Sequence, residues 1–224
     1  MSTSNFRSAY EDYRFLRERD YPEKATLKVV GDRYRLTRSE RNSLFRGVLP
    51  EKTAEARKRK RARPADIAGE NLGVDWYNVL ITVESYLRGA PLFLADDGMV
   101  RDTAAAHGSY RSTDITENAI REILRGISSL APGRVDVFLD SPIAFSGIMA
   151  EDVRKRSTVL PCPCAVSVAY TADFPLKSYE GIVASSDSVI LDSARRVFDL
   201  PRHLLEQAFG FTPPLLPDLD LLSL

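Results

Sequence analysis

The stretch that most constrains the fold of this chain is Gly73-Val74-Asp75-Trp76-Tyr77-Asn78-Val79-Leu80-Ile81. Its apolar residues predict a buried β-strand, and this strand carries an ionisable Asp75 and an amide, Asn78. A buried carboxylate is costly unless a metal ion, another cation or hydrogen-bond donors compensate for its lost hydration. The stretch therefore predicts a site at Asp75 to which other acids of the chain could contribute.

Beyond this stretch, short apolar runs alternate with helical patterns. Continuous apolar strands separated by helices predict an α/β fold, with a parallel sheet covered by helices on both faces. The predicted strands are Gly73–Ile81, Pro91–Ala95, Arg134–Leu139, Ala165–Tyr170 and Gly181–Ala184. The predicted helices are Thr116–Leu130, Ser146–Arg156, Ser188–Phe198 and Arg202–Phe209.

Acids follow several of the predicted strands, at the position where parallel sheets bind ligands. Asp140 directly follows the third strand, and Asp187 comes shortly after the fifth, with Asp192 farther along the chain. Asp96 and Asp97 directly follow the second strand. One such Asp is explained by the preference of this residue for turns and helix N-termini. Several together predict a carboxylate cluster at one edge of the sheet.

A cluster of this kind predicts a bound cation. Two carboxylates about 4 Å apart repel by roughly 4 kcal/mol at an effective dielectric constant of about 20. Without a cation, one of them would therefore take up a proton. Oxygen ligands from Asp and Asn suit Mg²⁺ or Mn²⁺, which can activate water and stabilise charge on a phosphodiester. The residues therefore predict metal-dependent phosphodiester hydrolysis.

The charge of the chain is divided between its two ends. Residues 1–63 hold 18 Lys and Arg against 9 Asp and Glu, whereas residues 64–224 hold 13 against 22. This asymmetry predicts a small all-α module suited to polyanions, followed by a carboxylate-rich domain over 64–210. The alternative is a charge match between two packed domains. The apolar tail, 211–224, is expected to pack on its own chain rather than on a neighbouring subunit.

The N-terminal module is predicted to contain four helices. Helical spacing predicts Ser8–Arg19 and Glu23–Tyr34, and a capping box of Thr37 and Glu40 begins a third helix. Glu51–Arg63 is rich in residues that favour a fourth helix. The cations of this helix that are predicted to contact nucleic-acid phosphates are Arg57, Lys58, Arg59, Lys60, Arg61 and Arg63. The alternative is a solvated linker helix.

Three motifs of the C-terminal domain resemble, in order, those of the NYN branch of PIN-like nucleases, the YacP type. Val74–Val79 is similar to the opening V-D-G-Y-N-hydrophobic motif, with Trp76 in place of the usual glycine. Val137–Asp140 resembles the second strand of that family, which ends in an acid, and Ala184–Ile190 resembles its T-S-D-x-x-I motif. The resemblance covers about residues 72–200. It implies a PIN-like three-layer α/β/α fold with a mainly parallel sheet.

The same resemblance implies a nuclease site and its cofactor. Asp75, Asp140 and Asp187 would be the ligands of Mg²⁺ or Mn²⁺. Asn78 would orient Asp75 or contact the scissile phosphate, and Asp192 would be a further catalytic acid. The implied substrate is nucleic acid, RNA in preference to DNA.

A second resemblance is to an uncharacterised prokaryotic family that combines a basic helical N-terminal module with a PIN-like domain. In the first half of the chain, Leu16–Pro22, Val29–Leu36 and Arg41–Val48 carry this likeness. Asp96–Asp102 and Asp140–Gly147 are similar to further motifs of that family. They add a second group of site candidates, namely Asp97, Arg101 and Asp102. For Arg101, the alternative is a structural salt bridge.

Other classes of protein have less support in the sequence. Cys162 and Cys164 have no further ligands at a spacing suited to zinc, and Ser185 and Ser186 lack a catalytic His partner. No apolar run could span a membrane, the N-terminus is not a signal peptide, and we expect a reducing cytoplasm. Two alternatives to the nuclease stay open, namely a non-catalytic nucleic-acid-binding protein and an interaction protein that forms a homodimer.

Overall fold

The computed structural model describes residues 3–103 and 113–218. The helices are α1 (Thr3–Arg17), α2 (Glu23–Arg33), α3 (Arg38–Gly47), α4 (Glu51–Arg59), α5 (Trp76–Leu87), α6 (Asp114–Ser129), α7 (Ser146–Arg156), α8 (Asp173–Lys177), α9 (Ser188–Ser193) and α10 (Leu200–Phe209). The strands are β1 (Asn71–Asp75), β2 (Leu92–Leu94), β3 (Val100–Asp102), β4 (Arg134–Asp140), β5 (Cys164–Ala169), β6 (Ile182–Ala184) and β7 (Val197–Phe198). In these described ranges, no helix is long and apolar enough to cross a membrane.

The chain divides into two compact units. Unit 1 comprises Met1–Arg59, Gly89–Ala105 and Pro213–Leu224, and unit 2 comprises Lys60–Arg88 and Ala106–Thr212. The units therefore differ from the predicted division at residues 63 and 210, because β2, β3 and the tail are grouped with the N-terminal helices.

Unit 1 contains the predicted N-terminal helices and a two-stranded sheet. The capping box at the start of α3 is present: the Thr37 hydroxyl accepts a hydrogen bond from the Glu40 N–H at 3.3 Å, and the Glu40 carboxylate accepts one from the Thr37 N–H at 2.6 Å. β2 and β3 pair antiparallel. Leu216 of the tail is buried with Phe93 in the core of this unit. The described part of the tail thus packs within its own unit, while residues 219–224 lie outside the described ranges.

Unit 2 is built on a five-stranded sheet with the order β5-β4-β1-β6-β7, in which every neighbouring pair is parallel. The chain adds β4 and β5 on one side of β1 and then β6 and β7 on the other. The strand order therefore reverses at β1 and β6, and ligands of such sheets bind at the carboxyl ends of the strands at this point. The predicted α/β class, mainly parallel sheet and helical N-terminal region are confirmed.

The predicted strand Gly73–Ile81 is wrong beyond Asp75, because α5 begins at Trp76. Trp76, Val79, Leu80 and Val83 are fully buried, and they follow the helical spacing i, i+3, i+4, i+7. A short apolar run of this kind fits a strand and a buried helix face equally well. The correction places Asp75 at the carboxyl end of β1 rather than inside a strand.

Three further predicted elements are corrected by long-range pairing. Pro91–Ala95 contributes β2 to the sheet of unit 1, and not to the parallel sheet. Ser188–Phe198 is not one helix, since it divides into α9 and β7. Glu51–Arg63 is helical only to Arg59, because the chain beyond it bonds to Val197 of β7: the Val197 carbonyl accepts from the Ala62 N–H at 2.7 Å, and the Val197 N–H donates to the Lys60 carbonyl at 2.9 Å.

Candidate active site

Three neighbouring strands of unit 2 bring acids to the carboxyl edge of the parallel sheet. Asp75 is the last residue of β1, and Asp140 is the last residue of β4. Asp187 follows β6 and is the N-cap of α9. β1 lies between β4 and β6, so the structure brings these three sequence-predicted residues to one edge.

Asp75 is the most buried acid of this group, with 5% of its surface exposed. The Ser185 hydroxyl donates a hydrogen bond to Asp75 Oδ2 at 2.8 Å. Burial raises the pKa of Asp75 to about 7; the Ser185 hydrogen bond opposes this rise, and the charges of Asp140, Asp187 and Asp173 add to it. Asp75 is therefore only partly ionised at neutral pH.

Asn78, in the first turn of α5, holds the segment after β6. Its Oδ1 accepts hydrogen bonds from the Ser186 N–H at 2.8 Å and from the Ser186 hydroxyl at 3.0 Å. The neighbouring Ser185 hydroxyl accepts a hydrogen bond from the Asp187 N–H at 3.0 Å. Ser185 therefore connects the side chain of Asp75 to the backbone of Asp187. Ser185 thus positions two of the acids, and Ser186 is held by Asn78, whereas the sequence pattern offers both serines only as nucleophiles.

Each predicted metal ligand uses one carboxylate oxygen in a hydrogen bond from the protein. Asp140 Oδ1 accepts from the Ala172 N–H at 2.8 Å. Asp187 Oδ1 accepts from the Val189 N–H at 2.8 Å and from the next N–H along α9 at 3.4 Å. Among the described residues, no hydrogen bond is donated to Oδ2 of Asp140 or Asp187, or to Oδ1 of Asp75. One oxygen of each carboxylate thus stays open to a ligand.

Two residues that the sequence did not assign to the site have pKa values that its acids raise. Asp173, at the start of α8, has a raised pKa because of burial first and then the charges of Asp187 and Asp140, with Lys177 opposing. Asp173 could have been found from the sequence, since it comes shortly after β5, the strand that pairs with β4. Burial raises the pKa of Tyr77 to about 12, with a contribution from Asp140.

Asp192 lies near the end of α9, whereas Asp187 is the N-cap of this helix. The Asp192 side chain is exposed on α9, and the main charges acting on Asp75 come from Asp140, Asp187 and Asp173. The Asp192 carbonyl accepts a hydrogen bond from Lys60 Nζ at 2.8 Å. This contact anchors the end of α9.

The second group of candidates lies in unit 1 and forms buried ion pairs. Both oxygens of Asp97 accept from Arg101 at 2.8 Å, and its Oδ2 also accepts from Arg57 at 3.1 Å. Burial alone would raise the pKa of Asp97, but the charge and hydrogen bonds of Arg101 and the bond from Arg57 lower it to about 2. Asp102 is paired with Arg46 at 2.8 Å. The structural salt bridge is therefore the observed state of Arg101.

Some of the cations predicted to contact phosphates bond to groups within the protein, and some are exposed to solvent. Arg57 is only 4% exposed and is bound to Asp97, so the prediction that it contacts phosphate is wrong for this structure. Lys60 Nζ donates to the carbonyls at the end of α9, and Arg63 is paired with Asp66 at 3.1 Å. Lys58, Arg59 and Arg63 are exposed, and Arg61 is partly exposed.

The acid edge suits Mg²⁺ or Mn²⁺ by the chemistry of its donors, because these ions prefer carboxylate oxygens. The open oxygens of Asp75, Asp140 and Asp187 would be the ligands. As the side chains stand, residues 3–103 and 113–218 contain no group of three His, Cys, Asp or Glu close enough to hold a metal ion. A shared ion would therefore require these carboxylates to approach one another.

Comparisons with known proteins identify relatives whose function is unknown. Residues 64–203 match the family described as Domain of unknown function (DUF5616), and residues 5–60 match the one described as Protein of unknown function (DUF434). Uncharacterized protein MJ0935 of Methanocaldococcus jannaschii is 30% identical over 200 residues, which cover 88% of this chain and 95% of the relative. No solved structure matches the chain significantly.

Proposed function

We propose that this chain, which belongs to the family described as Domain of unknown function (DUF5616), is a Mg²⁺- or Mn²⁺-dependent nuclease with a PIN-like fold. One observation carries the proposal: three neighbouring parallel strands bring Asp75, Asp140 and Asp187 to the same carboxyl edge of the sheet, where Asp75 is buried. A phosphodiester of nucleic acid is the substrate, and RNA is preferred to DNA.

Carboxylates gathered at one edge of a sheet favour a cation, because its charge offsets their repulsion. When bound, the ion supplies charge neutralisation and an activated water for attack on phosphorus. The residues of the chain hold the ligands in place: Ser185 fixes one oxygen of Asp75, and backbone N–H groups fix one oxygen each of Asp140 and Asp187. With its pKa of about 7, Asp75 can also hold a proton near neutral pH when no cation is present.

The second candidate function is binding of nucleic acid without cleavage. It is favoured by the absence, within the described ranges, of three acidic, His or Cys side chains close enough to hold a metal. The exposed cations Lys58, Arg59 and Arg63 would contact phosphates in either case.

Replacement of Asp187 by Asn separates the two functions. Asn is an equally good N-cap for α9, so the fold is retained while a charged ligand is lost. We expect cleavage of a fluorescent single-stranded RNA in Mn²⁺ to fall by about 100-fold or more. Glu180→Gln is the matched control, because Glu180 is an exposed acid before β6, at the opposite end of that strand.

Equal cleavage by the Asp187→Asn variant and the parent protein, at the same metal and salt concentrations, would show that the site is wrongly assigned. RNA binding by the parent that is unaffected by chelator, with no cleavage in Mn²⁺, would support the non-catalytic function instead.

A further inference from the structure

Three aromatic side chains next to the acid edge of unit 2 are open to solvent. Phe145 is 75% exposed, Tyr170 is 84% exposed and Phe174 is 82% exposed. Phe145 lies on the segment between β4 and α7, which begins after Asp140. Tyr170 directly follows β5, and Phe174 is the neighbour of Asp173 in α8. Each ring is thus close in sequence to the carboxyl end of a strand that leads to an acid.

The segments that carry these rings lie side by side. β4 and β5 are paired in register up to Asp140 and Ala169. The Ser141 N–H donates to the Ala169 carbonyl at 2.7 Å. The Ala172 N–H donates to Asp140 Oδ1 at 2.8 Å. The segments after the two strands, which carry the rings, are therefore connected through Asp140 itself.

Exposed apolar side chains are concentrated at this edge. Single exposed apolar residues are ordinary on a protein surface and need no explanation. In the described part of unit 2, however, most of the large ones lie on segments that follow β4, β5 or β6: Phe145, Ile148, Tyr170, Phe174 and Val189. The remaining two are Val159 and Val168. The distribution indicates a binding surface beside the acids.

The backbone at Phe145 is also unfavourable for its residue type. Phe145 is the N-cap of α7 in the left-handed conformation, with φ 62° and ψ 20°, and its side chain caps no N–H. A bulky residue is an outlier in this conformation, which Gly or Asn adopts more easily. Asn, Asp or Ser would also cap the helix. Folding alone thus gives no reason for an exposed Phe here, whereas a role for its ring does.

We propose that Phe145, Tyr170 and Phe174 form a stacking platform for the unpaired bases of a single-stranded nucleic acid. The assignment rests on the proposed function, since it places the phosphodiester backbone at Asp140 and the neighbouring acids. Exposed aromatic rings bind any base through its flat face, and single strands are usually recognised in this way. Bases in a duplex are already stacked on one another, so the platform selects single strands or unpaired loops.

Binding is measured with the full chain by fluorescence anisotropy of a labelled single-stranded RNA of about 12 nucleotides, in Ca²⁺. The variants are Phe145→Asn, which tolerates the backbone conformation, Tyr170→Ser and Phe174→Ala. Each is expected to weaken binding of the single strand by about 5- to 150-fold, and binding of the matching duplex much less. Val159→Ala is the control, because Val159 is 71% exposed but lies beyond the opposite end of α7.

An abasic form of the same oligonucleotide separates stacking from a damaged fold. The parent protein should bind the abasic strand at least as weakly as any single variant binds the normal one, and each variant should prefer the normal strand over the abasic one by less than the parent does. Equal affinity of the parent for both strands, or unchanged affinity in all three variants, would overturn the platform. The platform would also be overturned if the variants left RNA affinity unchanged but altered the mass of the oligomer measured by light scattering, since the rings would then contact a second copy of the chain.

The proposed function and the platform can fail separately. Cleavage of RNA in Mn²⁺ with no effect of the ring variants on affinity would remove only the platform. Base-dependent, ring-dependent binding by a parent protein that does not cleave would remove only the nuclease activity, and the platform would stand.

Discussion

Replacing Asp75 by Asn should stabilise the protein in the absence of metal, and increasingly so as the pH rises. Asn keeps the shape of the side chain and an oxygen that can accept the hydrogen bond from the Ser185 hydroxyl, but it cannot ionise. The native pKa of Asp75 is about 7, against 3.8 for an unperturbed Asp. This difference of about 3 pKa units corresponds to about 4 kcal/mol of free energy of unfolding.

The sign of the effect follows from proton binding. Between pH 3.8 and about 7 the carboxyl is ionised in the unfolded chain but still protonated in the native protein. The native state therefore binds more protons, and the parent protein loses stability as the pH rises through this window. The loss is absent below the unfolded pKa and complete above the native one. We expect the variant to exceed the parent by up to about 4 kcal/mol near pH 8, and by much less near pH 4.

Urea unfolding in chelator measures this difference. Trp76 is the single tryptophan of the chain and is fully buried in the core of unit 2, beside Asp75, so its fluorescence reports the unfolding of this unit. Glu180→Gln, compared in the same way, should show little change with pH. A difference between Asp75→Asn and the parent that stays constant from about pH 4 to about pH 8 would refute the reasoning, because Asp75 would then ionise as an isolated surface acid.

Mn²⁺ provides the complementary test of the same site. A ligand that binds only the native state stabilises it by mass action, so the parent should gain stability as Mn²⁺ is added. Asp75→Asn should gain less stability from Mn²⁺ than the parent does. The difference in free energy of unfolding between the two proteins should therefore be smaller in Mn²⁺ than in chelator. Identical gains in the two proteins would show that Mn²⁺ does not bind at Asp75.

Two further predictions concern unit 1. Asp97→Asn should lower the free energy of unfolding by about 3–5 kcal/mol, because Arg57 and Arg101 would remain buried without their partner. The native pKa of Asp97 is lowered to about 2, so the free energy of unfolding of the parent should fall by roughly 2 kcal/mol as the pH falls from 3.8 towards 2. Unfolding measured as a function of pH in acid would detect this loss. Arg59→Ala should reduce RNA affinity, measured by fluorescence anisotropy, and change the free energy of unfolding by no more than about 0.5 kcal/mol. Arg57→Ala should mainly destabilise the folded protein, because Arg57 is buried. Equal losses of RNA affinity in the two variants would contradict the burial of Arg57.

The features that the sequence determined by itself are those encoded within a few residues or in a repeated pattern. Apolar strands alternating with helices predicted an α/β fold with a mainly parallel sheet, and the capping box of Thr37 and Glu40 forms as predicted. Asp140 and Asp187, which follow predicted strands, could be placed at one edge of the sheet, because parallel strands all point in the same direction. For these two acids, the common direction of the strands is enough to predict the edge at which they lie, and no knowledge of tertiary contacts is needed.

Tertiary structure decided the features that depend on residues far apart in the chain. An apolar run does not show whether it will pair with a strand or pack as a helix face, so the end of β1 at Asp75 could not be read from the sequence. The partners of Asp97 and the exposure of Phe145 depend on packing of distant segments. The raised pKa of Asp75 likewise requires burial and three charges that the fold brings together from separate strands and helices.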